Sequence, residues 1–158
     1  MTVAYRIEDE PIGGRRSLPA LDPFWLLVAL MFSGAGVGAV AFAVNAWLLR
    51  GPTWGREVGL AIAIPLGVPV ILFGLLRLPL SDSSLQYALL LVVAWKLALA
   101  YWIFFLQQTS HALYEYFSGG ANRGQAAMMG AVLVMAGGYF KPAIVSAIDS
   151  PIWHLMVS

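Results

Sequence analysis

A lysine in the middle of an apolar run is the residue of this sequence with the most chemistry to offer. Lys96 sits in the stretch Val92 to Ala100 (VVAWKLALA), eleven residues after Leu85 and ten before Leu106. On a helix, ten residues span about 15 Å, farther than a lysine stem reaches to water unaided. An ammonium at mid-bilayer costs on the order of 2.5–3.5 kcal/mol. Such a group has to pair, lose its proton or face a wet cavity, and each of these is a starting point for proton or ion movement. Glu57, Asp82 and Glu115 all fall at the ends of apolar runs, so no carboxylate of the chain matches its depth.

Helical spacing continues from Lys96 through Ala100, Ile103, Gln107 and His111 to Glu115, which places these side chains along one face. Lys96, Gln107, His111 and Glu115 therefore form a candidate polar track from the bilayer centre to one surface. The bland reading of its outer half is a helix becoming polar as it leaves the membrane. For Lys96 three partners inside the chain are expected. Pro65 and Pro69 cannot donate backbone bonds, which frees the carbonyls of Ala61 and Pro65 within the apolar region. Asn45 is the third.

Catalytic signatures are missing. The sequence has no HExxH, no GxSxG and no Walker loop, and the glycine-rich stretch Gly119 to Gly124 lacks the Lys-Ser/Thr ending and the preceding strand of a phosphate loop. No catalytic residue and no metal ligand set is expected. With no cysteine and two histidines in different segments, thiolate and paired-histidine sites are also out. No cofactor is expected, although the aromatic surface of Tyr101, Trp102, Phe104 and Phe105 offers room for lipid, pigment or quinone contact. Nine basic against eight acidic residues create no field for nucleic acid.

The elements that must position these residues are membrane helices. Of 158 residues, 60% are hydrophobic and 11% charged, against roughly 25% charged in soluble domains. The expected fold is an all-α integral membrane protein: four transmembrane helices in an antiparallel bundle with short loops and an interfacial C-terminal segment. The spans are read at 24–49, 58–76, 85–106 (continuing as helix to about 117) and 125–148. Residues 1–23 form an extended surface tail, with Asp22 capping a helix that Pro23 opens. Gly137, Gly138 and Pro142 weaken the second half of the last span. Residues 149–158, which include Trp153, lie along the interface. With four crossings both termini share a side. Arg6, Arg15, Arg16, Arg77 and Lys141 on that side, against Arg50, Arg56 and Arg123 on the other, favour the cytoplasm for it.

Helices in lipid associate through close approach at small residues. Gly34 and Gly38 in the first span, Gly59, Ala63, Gly67 and Gly74 in the second, and Gly130 and Gly137 in the last are the candidates. The expected function is a non-catalytic multi-pass membrane protein, a subunit of a homo- or hetero-oligomeric complex. Its partners are the lipid bilayer and other membrane subunits or copies of itself. A small oligomeric channel or transporter built on Lys96 is the alternative, and a membrane sensor or effector with a soluble partner is a second one.

Overall fold

The computed structural model describes residues 20–75, 77, 82–117 and 123–157, except the side chains of 82–86, 88, 117 and 123. Every described element is an α-helix: α1 (Pro23–Ser33), α2 (Ala35–Leu49), α3 (Trp54–Leu75), α4 (Asp82–Phe117), α5 (Arg123–Ser146) and α6 (Pro151–Val157). Three helical stretches are long and apolar enough to cross a membrane: Trp54–Leu75, Leu89–Tyr116 and Gly124–Ser146. The expected surface tail, apart from Ala20, Leu21, Asp22 and Pro23, lies outside the described residues.

The expected first span at 24–49 is not one helix. It breaks at Gly34, whose φ of 100° and ψ of 161° belong to a region that only glycine occupies without strain. The two halves then fold against each other. Gly38 of α2 rests directly on Leu30 of α1; a Cβ on Gly38 would stand 2.4 Å from the Leu30 Cβ and 2.5 Å from its Cα. At the open end Leu21, just ahead of α1, is hydrogen-bonded to Asn45 near the end of α2, 24 residues on. A continuous helix would hold these residues about 36 Å apart. The uncharged run is a helical hairpin with its tip at Gly34, and the eleven residues of α1 reach only about half the ~30 Å hydrocarbon thickness.

Local chemistry explains the hairpin's ends. Pro23 takes the first helical position, and the Asp22 carboxylate accepts the Phe24 amide at 2.8 Å, as expected of a side-chain cap. At the tip, the Ser33 hydroxyl donates to the Val134 carbonyl of α5 at 2.9 Å. Gly137 lets α5 close on the same place, since a Cβ there would fall 2.5 Å from that of Ser33. Two turns earlier on α5, Gly130 takes the Trp25 ring, which would lie 2.4 Å from an added Cβ.

Around the hairpin the long helices make a single core. Leu26, Leu27 and Leu30 of α1, Phe42 of α2, Ile64 of α3, and Leu99 and Ile103 of α4 are buried in it together. α3 begins four residues earlier than expected, at Trp54. There the Thr53 hydroxyl bonds the Glu57 carboxylate at 2.6 Å, which holds an acid in the first turn where the helix dipole favours it. Pro65 and Pro69 sit inside α3 without ending it. Alongside them the Trp95 indole donates to the Ala63 carbonyl at 3.2 Å and lies on Gly67. α5 likewise continues through Gly137, Gly138 and Pro142 to Ser146.

In the C-terminal segment, residues 151–157 form α6. The chain turns at 147–150, and α6 folds back to pack on α2, α3 and α5. The turn closes because the Trp153 indole donates at 2.9 Å to the Ile144 carbonyl, in the last turn of α5 where carbonyls have no helical partner. Val157, at the end of α6, is buried against Gly36, two residues past the hairpin tip. Two short elements thus meet at the level of the tip.

Candidate functional site

The candidate polar track resolves into three separate places. Lys96 is buried at the level of the tip, and its ammonium donates to the Leu155 carbonyl of α6. Neither Asn45 nor the carbonyls of Ala61 and Pro65 receive it. The physical reason lies in α6: Leu155 belongs to the last turn, whose carbonyls lack helical partners and carry the negative end of the helix dipole. A cation placed there satisfies both itself and the helix end. Lys141 of α5 acts on Lys96 as a like charge, so the backbone of α6 provides the compensating dipole. Replacing Lys96 by methionine should release α6 while the three long helices stay folded. Hydrogen exchange would then rise over residues 151–157, and unchanged protection there would contradict this role.

Between Lys96 and Gln107 the track is closed. Ala100 and Ile103, the intervening residues of that face, have no exposed surface. Gln107 is equally buried and fully engaged: its amide donates to the Phe42 carbonyl at 2.9 Å, and its oxygen accepts the Asn45 amide at 3.0 Å. Asn45 in turn bonds both backbone groups of Leu21, accepting its N–H at 2.8 Å and donating to its carbonyl at 3.0 Å. This network ties the chain ahead of α1 to α2 and α4. The two predicted residues come together, but as a structural clamp, because each hydrogen-bonding group has a fixed protein partner.

His111 and Glu115 lie one and two turns farther along α4, in the wall of a cavity of about 590 Å³. Ala20, Asp22 and Pro23 close one side, Phe24 and Trp25 of α1 and Phe104 of α4 form its aromatic surface, and Ala126 and Ala127 of α5 complete it. Gln108 and Tyr114 add polar groups. The His111 and Tyr114 rings are 6.3 Å apart and tilted by 38°. Among the described residues no three metal-ligating side chains converge. A second cavity of about 510 Å³ runs along α2 from Gly36 to Leu48, walled by Leu133 and Ile144 of α5 and Trp153 and Val157 of α6.

Sequence reasoning missed three features. The Leu155 carbonyl is backbone and has no sequence signature. Asp22 was read only as a cap, whereas it also lines the cavity together with His111 and Glu115. Glu57, read as marking a helix end, is 1% exposed; the Thr53–Glu57 spacing four residues apart at a helix start was the available signal. Of the aromatic residues on α4, Tyr101, Trp102 and Phe105 point outward, with the Arg56 guanidinium 5.0 Å over the Trp102 ring.

No known family, curated protein or solved structure gives a significant match to this chain.

Proposed function

We propose that this chain is a non-catalytic multi-pass membrane protein that works as a subunit, associating within the bilayer with copies of itself or with other membrane proteins through α3. The observation that carries this reading is how the glycines divide. Gly38, Gly67, Gly130 and Gly137 are each consumed by a contact inside the chain, and Gly34 by the hairpin break. Gly59 and Gly74 of α3 have no atom within 4 Å of where a Cβ would stand. The exposed stripe that joins them, Ile62, Leu66, Val70 and Phe73, is apolar throughout. A face with small residues left open allows the close backbone approach by which membrane helices associate.

The hairpin also supports a different orientation. With α1 and α2 entering and leaving on one side, three crossings remain, and the start of α1 and the end of α5 lie on opposite sides. Arg6, Arg15, Arg16, Arg50, Arg56 and Arg123 then share the first side, against Arg77 and Lys141 on the other. Six against two is a stronger bias than the five against three of four crossings, and it supports an N-terminal side in the cytoplasm.

The chain lacks cysteine, so single introduced thiols report contacts cleanly. Gly59→Cys should form crosslinked dimers, or adducts with a partner, in native membranes, whereas Phe105→Cys on the exposed face of α4 should not. Absence of crosslinks at Gly59 together with a monomeric mass in nanodiscs would remove the reading. A channel or transporter centred on Lys96 has in its favour that two short elements meet mid-membrane, as at transporter sites. The closed face at Ala100 and Ile103 speaks against it. Liposome flux that is abolished in Lys96→Met, with the protein still folded, would reinstate it.

A further inference from the structure

The second cavity, along α2, is lined by apolar groups apart from Asn45 and Trp153, and its dimensions select what can fill it. From Gly36 to Leu48 it follows twelve residues of helix, about 18 Å, close to the ~15 Å depth of one leaflet's hydrocarbon. Both polar side chains of the wall are engaged within the chain. Asn45 is bonded to Leu21 and Gln107, and the Trp153 indole to the Ile144 carbonyl. Water needs ~2–4 polar partners to occupy such a space, and these side chains are already taken. Left empty, the wall would forgo dispersion contact along its whole length. A partner's helix, ~10 Å across, would need roughly 1,400 Å³ over that length, against a cavity of about 510 Å³. A single file of methylenes fits.

One end of the cavity adds a charge. Arg50 caps α2 in the left-handed conformation, with φ 46°, where glycine is the usual residue and arginine is uncommon. Its N–H closes on the Ala46 carbonyl at 3.0 Å, a bond that glycine would make equally well, so the backbone gives no reason for the arginine. The guanidinium lies 5.8 Å over the Trp47 ring. Trp47 follows Gly36 and Val40 at helical spacing, which puts it on the cavity's edge. Two carboxylates near this end are taken up elsewhere: Asp22 caps α1 in the wall of the other cavity, and Glu57 is buried on the Thr53 hydroxyl.

We propose that this cavity holds one acyl chain of a glycerophospholipid, with the lipid's phosphate on the Arg50 guanidinium, whose planar fork suits phosphate oxygens. The bound chain completes the packing between α2, α5 and α6. This inference rests on the membrane reading but is independent of the association through α3, which contributes nothing to the lining.

Native mass spectrometry of the full chain, delipidated and released from maltoside micelles, measures this by titration with dioleoylphosphatidylglycerol, dioleoylphosphatidylcholine and dioleoylglycerol. Each phospholipid should give one saturable adduct, and dioleoylglycerol a weaker one. Arg50→Asn keeps a residue that tolerates the left-handed conformation. It should weaken both phospholipids about tenfold, the share of one charge-assisted hydrogen bond, and leave dioleoylglycerol unchanged. Val44→Trp fills the cavity from a half-exposed position and should abolish every adduct, whereas Leu90→Trp on the exposed face of α4 should abolish none. An adduct that survives Val44→Trp, or phospholipid affinity unaltered in Arg50→Asn, would overturn the proposal. So would a lipid-free dimer that Val44→Trp dissociates, because the cavity would then belong to a second copy of the chain.

Discussion

Gly38→Leu should prevent the α1–α2 hairpin from closing and lower stability by about 3 kcal/mol or more, near the top of the range for overpacking. The expected size follows from what the new side chain meets. The Leu30 Cα, 2.5 Å from an added Cβ, is backbone, so no rotamer change relieves the clash and the two helices have to separate. Separation pulls Leu21 from Asn45 and Ser33 from Val134, so the loss spreads from the hairpin to α5. Against a total stability of roughly 5–15 kcal/mol, that is enough to reduce folded yield sharply. Gly59→Leu is the control, because its site is open. Thermal unfolding in mild detergent should show a large fall for the first variant and almost none for the second. Equal effects would mean that α1 and α2 do not pack face to face.

Removing the clamp is the second large effect. Asn45→Ala leaves the Leu21 N–H, the Leu21 carbonyl and the Gln107 oxygen without the partners they now have. Each orphaned buried group costs about 1–3 kcal/mol, while measured hydrogen bonds between membrane helices average nearer ~0.6 kcal/mol. A loss of about 2–3 kcal/mol is expected for the three together. Gln107→Leu should cost less, since Asn45 keeps both bonds to Leu21. The double variant should fall short of the sum of the two singles, because they remove a shared bond. Strict additivity in denaturant titrations would show that the two amides do not interact.

The long helices were legible in the sequence for a simple reason. Uncharged runs bounded by charges, such as the one between Glu57 and Arg77, admit little besides a helix in lipid. The hairpin was not, because the run from Phe24 to Leu49 has a length that serves one tilted span or two short helices equally well. The distinguishing signal was the stretch Ser33-Gly34-Ala35-Gly36-Val37-Gly38. Three glycines in five residues each cost a helix about 1 kcal/mol relative to alanine, which favours a break there. Read only as a packing motif, the pattern concealed that Gly38 packs against its own hairpin partner.

The polar residues show a similar division. Asn45, Gln107 and Lys96 stand out singly because polar groups in apolar runs are rare, yet their pairing depends on which helices are antiparallel neighbours. Once the first span folds back, Asn45 returns to the level of Leu21 and of Gln107, well away from Lys96. The lysine's real partner sits on α6, a seven-residue helix too short to leave a periodic signature. Its polar end is a backbone carbonyl, which any residue type could have supplied.

The α1–α2 hairpin organises all of this: the clamp and the lysine strut depend on it, and the proposed orientation rests on it. The most direct test is a distance. In the cysteine-free chain, spin labels on Phe24→Cys and Leu48→Cys lie 24 residues apart, one at the start of α1 and one near the end of α2. Pulsed electron–electron resonance on the protein in lipid nanodiscs should give a separation below about 20 Å, since the Leu21–Asn45 bonds hold these ends together. A distribution centred near 36 Å, the length of an unbroken helix of that span, would contradict the hairpin.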